Sequence, residues 1–87
     1  MNDEYCLAIF KSTHDALSFE KRFLSEGYKI TIMPVPRKIK NSCGLSIRFS
    51  AIDLDNIVKI INKENISFES IYLINNYKME RIIKNSK

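Results

Sequence analysis

The chain has 87 residues, of which 45% are hydrophobic and 28% charged, and its formal net charge is +4. This length and balance predict one globular domain with a single core and exclude an intrinsically disordered chain. Two cysteines are too few for a disulfide-stapled scaffold, and the small positive charge permits an acidic partner or nucleic acid without requiring either.

The first part of the chain reads as a strand, a helix and a second strand. Glu4 to Phe10 is an apolar run of about strand length. Ser12-Thr13 offers a helix cap, and apolar residues then recur three and four positions apart until Gly27, which suits a helix end. From Tyr28 to Met33 apolar and polar residues alternate, as in a half-buried strand. The apolar stripe of the helix consists of Ala16, Phe19 and Phe23.

An irregular loop from Pro34 to Gly44 separates this part from a strand, a helix and a fourth strand. Leu45–Ser50 alternates strictly and is the clearest strand of the chain. Asp53 can cap the second helix, and Phe68–Ile74 reads as the fourth strand. The tail from residue 76 to residue 87 is polar. Its apolar residues are spaced so that they could support a short extra helix, and they are Tyr77, Met79, Ile82 and Ile83.

This element order predicts an α+β fold, the ferredoxin-like βαββαβ sandwich, over residues 1–75. We expect a four-stranded antiparallel sheet in the spatial order 4-1-3-2, with both helices on one face. In this topology the first and second strands run in the same direction. The start of the first helix and the Pro34–Gly44 loop should therefore meet at one end of the sheet.

Cys43 is the main candidate for chemistry. It lies in a loop that contains two prolines and three cations, and such a basic setting favours the thiolate form of a cysteine. The alternative is a small hydrophobe under a turn, where Gly44 serves only to allow a positive φ. Cys6 lies in the first, central strand, so we read it as a packed structural residue. No Cys-x-x-Cys pair is present for a dithiol reaction.

Several neighbours of Cys43 are candidates for its support. His14, the single histidine, is either a base or hydrogen-bond partner of Cys43 or a surface residue of the first helical turn. Arg37 either binds an anion or lies in solvent. The start of the first helix, with Ser12 and Thr13, would stabilise a nearby anion by roughly 0.3–1 kcal/mol. Two dispersed cysteines and one histidine lack zinc spacing, so we expect no metal and no cofactor.

Four short segments carry a family resemblance through their order and spacing. They are Ser12–Leu17, Pro34–Arg37, Ser42–Gly44 and Leu45–Phe49. Together they resemble the small bacterial family of putative selenium/sulfur carrier proteins, over a region from Tyr5 to about Ile74. The resemblance implies that Cys43 holds sulfur or selenium as a persulfide or selenosulfide. The Cys-Pro-x-Pro motif of TusA-like sulfur carriers is absent from this chain.

The leading hypothesis is that the protein is a carrier, which takes the chalcogen from a donor protein and passes it to an acceptor. Such a protein is at most a transfer protein rather than a classical enzyme. Cys43 and His14 are the predicted reacting residues. The predicted ligand-binding residues are Ser12, Thr13, Arg37, Ser42 and Gly44.

A non-catalytic binding module for a small ligand, a protein partner or RNA is the alternative. We do not expect nucleic acid, because the predicted sheet face away from the helices lacks the paired aromatic residues that stack bases. The residues predicted on the sheet face away from the helices are Lys29, Thr31, Ser46, Arg48 and Tyr72. The sequence leaves open whether the protein forms a homodimer.

The polar first residues and the lack of a long apolar run predict a cytoplasmic protein that does not enter the membrane.

Overall fold

The described part of the chain, residues 4–41, 43–76 and 78–85 of this computed structural model, forms five strands and two α-helices. The strands make one antiparallel sheet, in which the second and fifth strands are the edges. In chain order the elements are β1 (Tyr5–Ile9), α1 (Thr13–Ser25), β2 (Ile30–Pro34), β3 (Leu45–Ser50), α2 (Leu54–Glu64), β4 (Ser70–Ile74) and β5 (Met79–Lys84).

The α+β class, the two helices and the antiparallel sheet are confirmed, whereas the predicted number of four strands is wrong. The spatial order is β2-β3-β1-β4-β5, so the first four strands are arranged as predicted and β5 is added beside β4. Neither helix in the described residues is long and apolar enough to cross a membrane.

The polar tail contributes β5 instead of the expected short helix. Ile71 lies opposite Ile83 but the next residue, Tyr72, lies opposite Arg81, so Ile82 is an extra residue in the ladder. Such a bulge interrupts the period of two that identifies a strand. The apolar positions 79, 82 and 83 consequently imitate the spacing of a helix. Because β5 pairs with β4 along its length, the sheet continues past the predicted domain boundary at residue 75.

Both helices pack on one face of the sheet. The central strand β1 presents Cys6 and Ala8 to this face, and both are fully buried. Phe19 of α1 packs its ring 5.0 Å from the ring of Phe10 and 4.4 Å from that of Phe23. Burying one such side chain contributes about 1.5–3 kcal/mol, so these rings fix α1 against the sheet.

The opposite face carries a second, smaller apolar cluster. Leu7 and Ile9 of β1 point to this side and are fully buried, although no helix covers them. Their cover includes Ile39, which lies in the loop between β2 and β3 and is only 8% exposed. The residues predicted on this face, Lys29, Thr31, Ser46, Arg48 and Tyr72, would make it polar and cationic, and this expectation is wrong at its centre. A central strand is apolar on both sides when a loop folds back over it.

The helix ends follow local side-chain chemistry. Ser12 caps α1 as predicted, since its hydroxyl oxygen accepts a hydrogen bond from the main-chain N–H of Asp15 at 3.1 Å. Gly27 follows the helix with φ +90°, as expected for a C-terminal glycine. Asp53 occupies the N-cap position of α2 as predicted, but its side chain makes no capping hydrogen bond. A 3-10 turn at Ala51–Asp53 precedes α2, and the hydroxyl of Ser50 caps this turn instead.

Candidate functional site

The loop between β2 and β3 crosses from one face of the sheet to the other. Ile39 packs in the cluster beneath the sheet, whereas Cys43 packs against the cluster on the helix side. The base of the loop is closed by a hydrogen bond from the N–H of Val35 to the carbonyl of Gly44 at 3.1 Å. The loop thus wraps around the end of the central strand and returns directly into β3.

Asn41 ties this loop to the sheet. Its side-chain amide donates to the carbonyl of Phe10 at 2.8 Å, just beyond the end of β1. Its amide oxygen accepts from the N–H of Cys43 at 2.8 Å and of Gly44 at 3.3 Å. The amide also lies 3.4 Å from a carboxylate oxygen of Glu69. One side chain therefore determines the position of the main chain at Cys43.

Sequence reasoning missed Asn41. The sequence does contain a signal for Asn41. In a turn, the side-chain oxygen of an asparagine commonly accepts a hydrogen bond from the main-chain N–H two residues later. The bond from the N–H of Cys43 has this form. The contact with Phe10 joins residues 31 positions apart, and no local pattern predicts it.

The start of α1 lies beside Cys43, as the topology predicted. The sulfur of Cys43 is 3.9 Å from the hydroxyl oxygen of Thr13, the first residue of α1, and either atom can be the donor. Cys43 is half-buried and Thr13 is exposed. The thiol is thus placed by packing on one side and accessible on the other.

The remaining residues at this helix start have different surroundings. The hydroxyl of Ser12 is engaged in capping, as described above. His14 is exposed and makes no hydrogen bond to Cys43; it lines an open depression of about 380 Å³ with Ser18, Arg22 and Glu64. The structure thus brings Thr13 to Cys43 but leaves His14 on a neighbouring surface, and a pairing of His14 with Cys43 stays a prediction.

Three predicted ligand-binding residues belong to the Cys43 loop. Arg37 is exposed. Gly44 has φ +81°, and a β-carbon built there would meet nothing within 4 Å, so its glycine is explained by the main-chain conformation rather than by crowding. Ser42 lies outside the described residues, so its role stays a prediction.

A family model described as "Putative Se/S carrier protein-like" matches residues 5–73. The chain belongs to this family of Se/S carrier-like proteins. An uncharacterized protein of Methanocaldococcus jannaschii is 30% identical over 74 residues, which is 85% of this chain and 37% of that relative. The chain therefore spans a little over a third of that relative's length. No solved structure matches the chain.

The region shared with the Se/S carrier family runs from β1 into β4 and contains the whole loop that carries Cys43. It ends at Leu73, before β5 begins. The family resemblance recognised in the sequence is thereby confirmed, and β5 is an element of the sheet beyond the matched region.

The two cysteines of this Se/S carrier-like chain are both free thiols, but only one is accessible. Cys6 is fully buried, and its pKa is raised to about 11, chiefly by burial and further by the nearby Glu4 carboxylate. A thiol of this kind is protonated at neutral pH and is shielded from other molecules. Within the described ranges, no three residues of the His, Cys, Asp and Glu types are grouped so that they could hold a metal ion.

Proposed function

We propose that this protein carries sulfur or selenium on Cys43, as a persulfide or selenosulfide, between a donor protein and an acceptor protein in the cytoplasm. The observation that carries the proposal is the half-buried Cys43 thiol at 3.9 Å from the Thr13 hydroxyl, in a chain of the Se/S carrier-like family. In this proposal the first four strands and the two helices act as a ferredoxin-like support for the Cys43 loop.

The proposed step is an exchange between a thiolate and a persulfide. The Cys43 thiolate attacks the outer sulfur of a donor persulfide and forms a new S–S bond. The donor's own S–S bond breaks, and the donor leaves as a thiolate. Delivery is the same exchange with an acceptor thiolate attacking the outer sulfur on Cys43. With selenium, the attacked atom is the outer selenium of a donor selenosulfide. Neither direction consumes an oxidant or a reductant.

The surroundings of Cys43 support this exchange in two ways. Thr13 places a hydroxyl within reach of the sulfur, and the start of α1 favours a negative charge nearby by roughly 0.3–1 kcal/mol. Asn41 holds the main chain on both sides of the sulfur's attachment point. An anion formed when Cys43 gains or loses the chalcogen therefore meets donors that are already in place.

The other predicted residues would act with the partner bound. His14 would exchange a proton with the incoming thiol, and Arg37 would bind an anionic group of the donor or acceptor. Ser12 contributes by capping α1, which fixes the helix start beside Cys43. Ser42 and Gly44 would contribute to binding the outer chalcogen atom.

Intact-mass analysis tests the proposal. The native protein, Cys43→Ser and Cys6→Ser would each be incubated with a cysteine desulfurase and cysteine, and separately with the same enzyme and selenocysteine, so that the donor presents its outer sulfur or selenium at the oxidation level of a persulfide or selenosulfide. We expect a gain of one chalcogen atom that a reductant reverses, present in Cys6→Ser and lost in Cys43→Ser. No gain in the native protein, or an equal gain in Cys43→Ser, would contradict the proposal and favour a non-catalytic binding module.

A further inference from the structure

Three cations stand out on the loop that carries Cys43. Arg37, Lys38 and Lys40 fall within four consecutive residues, and all three are exposed. Among the residues that the structure describes, none of the three lies within ion-pair distance of a carboxylate. The salt bridges of that part of the chain join Arg22 to Glu26 and to Glu64. Within the described ranges, these three neighbouring charges therefore have no ion-pair partner.

The loop presents these charges in a fixed arrangement. Ile39 lies between Lys38 and Lys40 and is buried against the sheet, and its N–H donates to the carbonyl of Pro36 at 3.0 Å. The bonds of Asn41 and the closed base of the loop complete the anchorage. The main chain that carries the three charges is therefore already ordered, so that binding has to order only the side chains, which favours affinity.

The position of the charges favours a protein partner over a small molecule. The three residues lie three to six positions before Cys43 in the same loop and outside the depression that His14 lines. Small ligands are usually held in concave, largely enclosed sites. An exposed cationic loop instead suits the surface of a macromolecule of opposite charge.

The composition of the loop favours an acidic protein over a nucleic acid. No aromatic residue occurs between residues 34 and 44. Proteins that bind single-stranded nucleic acid combine a cationic groove with aromatic side chains on which the bases stack. This loop supplies the charge without the stacking surface.

We propose that Arg37, Lys38 and Lys40 form a docking surface for an acidic patch on the protein that exchanges the chalcogen with Cys43. This inference rests on the proposed function and names the chemistry of its partner. The three charges attract the acidic patch before contact, and they orient the partner's reacting group toward Cys43. Electrostatic attraction of this kind raises association rates by about tenfold to a thousandfold at low ionic strength.

Thiol–disulfide exchange with charged peptides tests the docking surface without any chalcogen. Two synthetic peptides, Glu-Glu-Glu-Gly-Cys and Gln-Gln-Gln-Gly-Cys, would each be prepared as the mixed disulfide with thionitrobenzoate. Attack by the Cys43 thiolate on the peptide sulfur forms the protein–peptide disulfide and releases thionitrobenzoate, whose absorbance gives the rate. Cys43→Ser provides the blank.

We expect the acidic peptide to react about tenfold faster than the neutral one at low ionic strength. The ratio should fall toward one in high salt. It should also fall in the triple variant Arg37→Gln, Lys38→Gln, Lys40→Gln. The control is Lys21→Gln, Lys29→Gln, Lys59→Gln, which removes the same charge from exposed positions on the helices and before β2, and it should keep the ratio.

Equal rates for the two peptides, or an equal loss of preference in both triple variants, would overturn the inference. Stronger competition by a short oligouridine than by an unreactive acidic peptide would also overturn it, because the partner would then be a nucleic acid. The exchange requires only an accessible thiol. A charge preference here with no chalcogen gain in the mass experiment would therefore contradict the carrier proposal alone.

Discussion

At Cys43 the sulfur is partly exposed and has a hydroxyl within 3.9 Å, whereas the sulfur of Cys6 is enclosed on the helix face of the sheet. The difference follows from the chain around each residue. Cys6 lies in an apolar strand, and Cys43 lies in a loop that Asn41 ties to the end of that strand. The sequence shows the types and neighbours of both cysteines. It does not predict the hydrogen bond from Asn41 to Phe10, because that bond joins residues 31 positions apart.

Replacement of Asn41 by alanine should destabilise the protein and loosen the Cys43 loop. The substitution leaves the carbonyl of Phe10 and the N–H groups of Cys43 and Gly44 without this partner. Losing such partners at partly buried groups costs about 1–3 kcal/mol. Urea unfolding should show this loss, and iodoacetamide should alkylate Cys43 faster than in the native protein. Asn56→Ala, on an exposed part of α2, is the control and should change neither quantity appreciably.

Cys6 should make the folded protein less stable in alkaline solution. Its folded-state pKa of about 11 lies above the ordinary value of 9.0, so its protonated form stabilises the fold at neutral pH. This contribution, about 2–3 kcal/mol, is fully present below pH 9 and is lost as the pH rises toward 11. Denaturant midpoints at pH 8 and pH 10.5 would measure it. Cys6→Ala should show a smaller decrease, and an identical decrease in both proteins would contradict this account.

At the scale of elements, the sequence patterns predicted the first four strands and both helices. Regular apolar periods identified α1, β2 and β3, and a short apolar run identified β1. β5 was missed because the bulge at Ile82 disrupts the period of two that marks a strand. Asp53 stands at the predicted N-cap position of α2 but makes no side-chain capping bond, because it is also the last residue of the 3-10 turn that Ser50 caps. Local rules thus located elements well, but they failed where a single extra residue or turn changed the register.

The two helices are joined by a charged contact that should weaken in acid. Arg22 of α1 donates to Glu64 of α2 at 2.8 Å, and these hydrogen bonds, more than the charge itself, hold the pKa of Glu64 below its usual value. A carboxyl group with a lowered folded-state pKa stabilises the fold above its unfolded pKa, and this stability is lost as the pH falls below about 4.

Glu64→Gln should therefore be less stable than the native protein at pH 7, and the difference should be smaller at pH 3. Urea midpoints at the two pH values measure this change. Glu80→Gln, at an exposed position of β5, is the matched control and should follow the native protein at both. A difference that persists unchanged in acid would show that Glu64 stabilises the fold by something other than its charge.

For the whole molecule, the decisive feature is that the sheet has an apolar core on both faces. The helices cover one face, and the β2–β3 loop covers the other. β5 contributes to both, since Ile82 and Ile83 pack toward the helix side and Met79 packs toward the loop side. The family-matched region ends before these residues, yet the fold uses them.

A chain that ends at Ile74 should lose stability and self-associate. The truncation removes the apolar contacts of β5 and leaves β4 as an unpaired edge, which is a template for pairing with another chain. We expect a lower denaturant midpoint and a larger particle by light scattering than for a chain ending at Asn85. A truncated chain that stays monomeric and equally stable would show that β5 is dispensable.

Ile39 and Cys43 belong to the same loop but pack on opposite faces of the sheet. Ile39 is buried on one face, and four residues later Cys43 packs on the other face. Exposing a buried isoleucine costs about 1.5–3 kcal/mol, so the packing of Ile39 contributes roughly this much to holding the loop against the sheet. A substitution that shortens Ile39 should therefore also loosen the chain at Cys43, although the two side chains lie on opposite faces of the sheet.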